Sequence, residues 1–228
     1  MAWPQRRHGE LRQLSDNLWI VEGPVPGLFY RRQMVVARDE QRRLLLHSVI
    51  AMDAQRMAAL EALGTPTWMF VPNGYHRLDA PAYKARYPEL RVVAPSGSIA
   101  RVRRAVAVDS TYAEFESNAV LQAEEAPWAS AAEGCVRVRS QDGVTLVFND
   151  LLWTPPAQGW PARVNRWLGQ GPQVPWVARR MYVPDAARLS AWLAGLARTP
   201  GLMRVIPGHG APILQDASEI LLRVASRR

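Results

Sequence analysis

Three stretches of the chain offer side chains that could bind a metal ion or move a proton. The first is VPNGYHRLD, residues 71–79, which follows an apolar run and carries Asn73, His76, Arg77 and Asp79 in one loop. The second is LVFNDLLW, residues 146–153, where an apolar strand runs into Asp150. The third is IPGHG, residues 206–210, where His209 stands between two glycines. Imidazole and carboxylate groups ligate zinc, iron or manganese, and the same groups serve as general acids and bases. Each stretch also has a plain structural reading. Asp150 could be a helix N-cap or turn residue, and His209 the exposed tip of a glycine-rich turn, where Gly208 and Gly210 would let the backbone approach a ligand. Three strand-end loops that each present a His or an Asp are the arrangement that builds a site at one edge of a sheet sandwich.

Other residues have weaker claims. His47 and Ser48 end the apolar run RRLLLHSVI (42–50) and could orient a ligand or form a Ser/His pair. Neighbours on a strand point to opposite faces, which argues against their pairing with each other and for a hydrogen-bonded structural His47. His8 falls in a stretch that reads as a flexible tail. Trp153, Trp160, Trp167 and Trp176 could line a pocket mouth or simply pack an irregular insertion over residues 154–180.

The elements that must hold these residues follow from period and punctuation. LWIVEG (18–23), MVVAR (34–38), RRLLLHSVI (42–50), TPTWMFVP (65–72) and LRVVAP (90–95) read as strands. Helical spacing of Met57, Leu60 and Leu63 predicts a helix between an Asp53 N-cap and a Gly64 C-cap, and APAYKARYP predicts a short one closed by Pro88. CVRVRS and VTLVFND flank an Asp142-Gly143 hairpin signal. A helix over 185–198 capped by Asp185, a strand into PGHG, and a C-terminal amphipathic helix ending in arginines complete a layered α/β pattern.

The 228 residues, 48% of them hydrophobic, suffice for one substantial core, and no linker or repeat divides them, so a single domain over 1–228 is expected. The N-terminus lacks the apolar segment of a secretory signal, no apolar run is long enough to span a bilayer, and Cys135 is the only cysteine. A cytoplasmic protein with no membrane contact is the expectation. The net charge of +8 invites a nucleic-acid reading, but Lys84 is the only lysine and the arginines are scattered, without the contiguous basic face that tracks a phosphate backbone.

DNLWIVEGPV (16–25), LLLHSVI (44–50), ALG (62–64), VPNGYHRLDAPAYKARYP (71–88), VVAPSG (92–97), LVFNDLLW and VIPGHG together resemble the metallo-β-lactamase superfamily, and more narrowly a branch of it built on a domain of unknown function. The resemblance implies an α/β fold of four layers, an αββα sandwich with two mixed sheets face to face. Active members carry H-x-H-x-D-H after the strand that ends here at Pro72. With Gly74 in the first place, His76 takes the second His, while Leu78 and Asp79 take the places of the Asp and the last His. With Asn73 first, Tyr75, Arg77 and Leu78 fill the rest. A third-motif His is missing from residues 110–140.

The resemblance therefore implies a degenerate metal site: His76, Asp150 and His209 as ligands, Asp79 as a substitute ligand, and Asp150 or Asp79 as proton acceptor. Asn73, Arg77, His47 and Ser48 would line it, with Arg77 able to pair with Asp150. Such a set could hold one divalent ion (zinc, iron or manganese), and not two in the usual way. Three readings stay open: a mononuclear hydrolase of an ester, thioester or lactone; a metal-free protein that binds a small molecule or serves as a scaffold; and, on charge alone, a nucleic-acid processor. The oligomeric state is not legible.

Overall fold

In a computed structural model, which describes residues 2–27, 30–128, 131–156, 163–164, 167 and 170–227, two β-sheets share one apolar interior. The first sheet holds seven strands in chain order: β1 (Arg12–Ser15), β2 (Leu18–Pro24), β3 (Arg31–Arg38), β4 (Arg43–His47), β5 (Thr65–Phe70), β6 (Arg91–Ala94) and β7 (Ser110–Thr111). Its pairings are antiparallel up to β4 and parallel from β4 to β7. Parallel neighbours need a crossover, and α1 (Ala54–Leu63) and α2 (Ala80–Arg86) supply the first two, with α3 (Ile99–Val102) before β7. The second sheet has the order β11-β10-β9-β8, built from β8 (Leu121–Glu125), β9 (Gly134–Ser140), β10 (Gly143–Val147) and β11 (Leu202–Ile206). Its β10–β11 pair is parallel, and α4 (Trp176–Tyr182) and α5 (Ala186–Ala197) lie between the two in sequence. The helix α6 (Ala217–Ser226) closes the chain.

Period-2 alternation assigns each strand residue to a layer. Leu18, Ile20, Val35, Ala37 and Leu45 face Val136, Val138, Val147 and Ile206 of the other sheet. Trp19, Val21, Met34, Val36, Leu44 and Leu46 face Met57 and Leu60 of α1 and Tyr83 of α2. Leu146 and Phe148 pack on Leu189, Leu193 and Leu221 of the C-terminal helices. Burial on both faces explains the near-continuous apolar runs, each large side chain contributing about 1.5–3 kcal/mol. The result is the four-layer αββα sandwich.

Local signals are realised with adjustments. Asp53 accepts from Arg56 N (2.8 Å) and Asp185 from Ala187 N (2.8 Å), so both act as N-caps. The expected strand 42–50 ends at His47, because Ser48 turns the chain with φ 55°. The hairpin turn shifts by one residue: Gly143 pairs with Ser140, leaving Gln141 and Asp142 in the loop, and Asp142 pairs with Arg204. The N-terminal segment is docked rather than a free tail. Trp3 Nε1 donates to Met52 O (2.7 Å), Arg6 N to Ala51 O (2.7 Å), and Asp53 N to His8 Nε2 (2.9 Å). In the expected insertion, Trp153 pairs with Gln173, while Trp167 and Trp176 are 84% and 76% exposed and so do not pack it. Trp160 lies outside the described residues. Among the described residues no helix is long and apolar enough to cross a membrane.

Candidate metal centre

His76, Asp150 and His209 all follow the C-terminal ends of strands: β5, β10 and β11. Each loop is shaped locally. Asn73 Oδ1 accepts from Tyr75 N (2.8 Å) and His76 N (3.1 Å), an Asx-type turn that sets the direction of His76. The His209 loop is laced between two neighbours: Gly208 N donates to Asn149 O (3.2 Å), Gln33 N to Gly208 O (3.0 Å) and Thr154 N to His209 O (3.1 Å). Its glycines serve this packing. A Cβ on Gly208 would lie 2.7 Å from Asn149 C, and one on Gly210, whose φ is 90°, would lie 1.8 Å from Thr154 O.

The three side chains meet at one atom. His76 Nε2 lies 3.1 Å, and His209 Nε2 3.0 Å, from Asp150 Oδ1. The far nitrogen of each ring is anchored: His76 Nδ1 to Ser48 Oγ at 2.9 Å, His209 Nδ1 to Arg31 O at 2.9 Å. A carbonyl only accepts, so His209 Nδ1 carries the proton and Nε2 is the nitrogen left to face Asp150. The donor atoms lie within 4.8 Å of one another and form the one group of this kind among the described residues. A tetrahedral ion with bonds near 2.0–2.1 Å holds its ligands about 3.3 Å apart. The two His–Asp separations are close to that spacing, and anchored far nitrogens are how metal-ligating histidines are held. The residues fit one divalent ion.

Burial pushes the Asp150 carboxyl up, but the charges and hydrogen bonds of His76 and His209 outweigh it and hold Asp150 below the ordinary carboxylate range. His209 shows the reverse balance: burial lowers it, and Asp150 raises it above the ordinary value.

No protein-family model and no curated protein matches the chain. Solved structures do. It superposes on a metallo-β-lactamase from Pontibacter korlensis with a TM-score of 0.62 at 14% identity, covering 98% of this chain and 100% of that one. On the DIM-1 metallo-β-lactamase the TM-score is 0.59 at 11% identity, with 97% of each chain covered.

The fold is that of the metallo-β-lactamases.

Within the metallo-β-lactamase fold the other expected site residues separate. Asp79 does not join the group. Its two oxygens are engaged by Arg6 Nε (2.8 Å) and Arg32 NH2 (2.5 Å), with Ala51 N at 3.3 Å, away from the three ligands. Arg77 does not pair with Asp150. It donates to Arg101 O at 2.6 Å. Ser48 pairs with an imidazole, but with His76 and not with its neighbour His47. His47 is buried with Nδ1 unpartnered, and burial followed by the charge of His76 pushes it down to about 3.

Asn73 lies inside the site as a donor, giving Nδ2 to Asp150 Oδ2 (2.7 Å) and to Glu133 Oε1 (2.5 Å). Glu133 is the residue the sequence reading missed. Wholly buried, it also accepts from Asn149 (3.4 Å), and burial together with the charge of Asp150 pushes its carboxyl well up. It falls in the 110–140 window where a third histidine was sought. A lone Glu in AAEGCV, at the threshold of an apolar strand, was the available signal.

Proposed function

We propose that this chain is a mononuclear metal-dependent hydrolase acting on an ester, thioester or lactone, with His76, Asp150 and His209 as the ligands. The observation that supports it most directly is the convergence of two imidazole Nε2 atoms on one carboxylate oxygen, each ring fixed from behind. The bound ion would supply a water of lowered pKa and a Lewis acid for the carbonyl.

The protein's own residues do the rest. In the metal-free cluster His76 and His209 hold Asp150 below the ordinary carboxylate range, so it is already ionised when an ion would arrive to take the two Nε2 atoms in their place. Asn73 holds Asp150 Oδ2 in place, and Ser48 and the Arg31 carbonyl fix the two ring planes. Burial and the charge of Asp150 push the Glu133 carboxyl well up, which disfavours a second negative charge beside Asp150. A single ion is proposed because Asn73 engages Asp150 Oδ2 and Glu133 Oε1 with its amide, and the described residues offer only one group of three ligands. The substrate class comes by analogy with the fold.

One observation favours a second reading, a metal-free binding protein: the 3.0 and 3.1 Å contacts also satisfy the three groups as a charged hydrogen-bond cluster. Elemental analysis of untagged protein, purified without chelator, separates the two. Near one equivalent of zinc, iron or manganese, lost in His209→Ala while circular dichroism is kept, is the expected result. No bound metal after incubation with excess ion would establish the metal-free reading instead.

A further inference from the structure

The loop that carries His76 spends its other residues on a single arginine. Gly74 makes room for Arg101 of α3, since a Cβ there would lie 2.3 Å from Arg101 Cδ and 2.7 Å from its Cγ. Tyr75 offers its ring to the guanidinium, whose carbon sits 4.2 Å from the ring centroid. Arg77 donates to the Arg101 carbonyl at 2.6 Å. Thus the stem, the charged head and the backbone of Arg101 are each positioned by a residue within two places of His76.

Among the described residues the charge so positioned meets no acid. No Asp or Glu pairs with Arg101 among the described residues, and none of the remaining residues is an Asp or Glu. Arg101 is exposed and Tyr75 is half-exposed, so the pair is open to solvent. A guanidinium held over an aromatic ring has already lost much of its rotamer freedom while its N–H groups stay available, which suits bidentate capture of an oxyanion.

We propose that Arg101 is a specificity residue that binds a carboxylate or phosphate group of the ligand beside His76. The site would then select anionic small molecules over neutral ones. The role in turnover rests on the hydrolase reading above, whereas the binding itself does not.

The test is calorimetric titration of the full chain, metal-loaded and metal-stripped, with benzoate, phenyl phosphate and neutral benzamide. Arg101→Gln keeps the stem that packs on Gly74 and removes the charge, and Arg101→Lys keeps the charge and loses the fork. Saturable binding of one or both anions is expected, weakened about tenfold or more in Arg101→Gln, the scale of one charge-assisted hydrogen bond. Arg101→Lys should fall between, benzamide should not distinguish the variants, and metal content should be unchanged. The stronger anion identifies the group recognised. No saturable anion binding by the natural chain, or equal binding by Arg101→Gln, overturns the proposal, as does binding that depends on the metal alone. If the chain holds no metal but anion binding still depends on Arg101, the hydrolase reading fails and this one stands.

Discussion

His76 and His209 each give one ring nitrogen to the fold and keep the other for Asp150, so their usefulness depends on the groups behind them. For His76 that group is Ser48, held at a φ of 55° that a non-glycine residue adopts only at a cost of about 1–3 kcal/mol. Ser48→Ala should leave the fold intact and weaken metal binding by about 10–100-fold, the usual effect of removing an anchor behind a ligating imidazole; chelator competition measures it. His47 has a thermodynamic signature instead. Burial pushes its pKa down to about 3 in the folded chain, against an ordinary 6.5, so below 6.5 the unfolded chain takes up a proton that the native protein refuses. Stability from this residue is complete above pH 6.5 and lost as pH falls towards 3, by about 1.4 kcal/mol per pH unit at most. Urea titrations from pH 7 to pH 4 should show that slope in the natural chain and a flatter one in His47→Gln. His76, Asp150 and His209 were legible because each sits at a strand end marked by Pro, Asn or Gly. The Ser48–His76 contact was not, since its partners are 28 residues apart and nothing local joins them.

At the scale of elements, strands buried on both faces were the most legible, because their apolar runs admit little else. The edge elements β7 and β8 were not: one has two residues, and the other, LQAEE, is as polar as a loop. The glycines of PGHG were recognised as special, but their reason lies in neighbouring elements. Gly210→Ala would force a methyl group against the Thr154 carbonyl at a φ that L-residues avoid. It should destabilise the protein by about 2–4 kcal/mol, read as a lower urea midpoint, and loosen His209 with it. Asp79 teaches the opposite caution. It stood in the right loop and was expected at the site, yet two arginines from the N-terminal segment and β3 claim it.

For the whole molecule, the shared interior decides how unfolding proceeds. Phe70 packs edge-on against Tyr112 (4.9 Å between centroids) and Phe115 (5.0 Å), in the cluster that also holds Leu121, Val136 and Ile206 of the second sheet or its approach. Neither sheet can open without exposing the other's inner face. Unfolding followed by tryptophan fluorescence and by circular dichroism should therefore coincide in one transition. Phe70→Ala should lower stability by about 3–5 kcal/mol without splitting that transition. Two separated transitions would mean that the sheets are independent units.

Periodicity, capping residues and turn chemistry act over a few residues, and for that reason the sequence alone determined most strands and helices, their layered order and the three loops able to carry ligands. Which side chains meet is a matter of contacts across tens of residues. Only the packed structure decided that Asp150 faces two imidazoles, that Asp79 faces two arginines, that Glu133 is shut in beside Asn73, and that Arg101 lies on Tyr75. Those pairings follow from strand register and from the burial of charge, which rewards whichever partner the fold brings within reach.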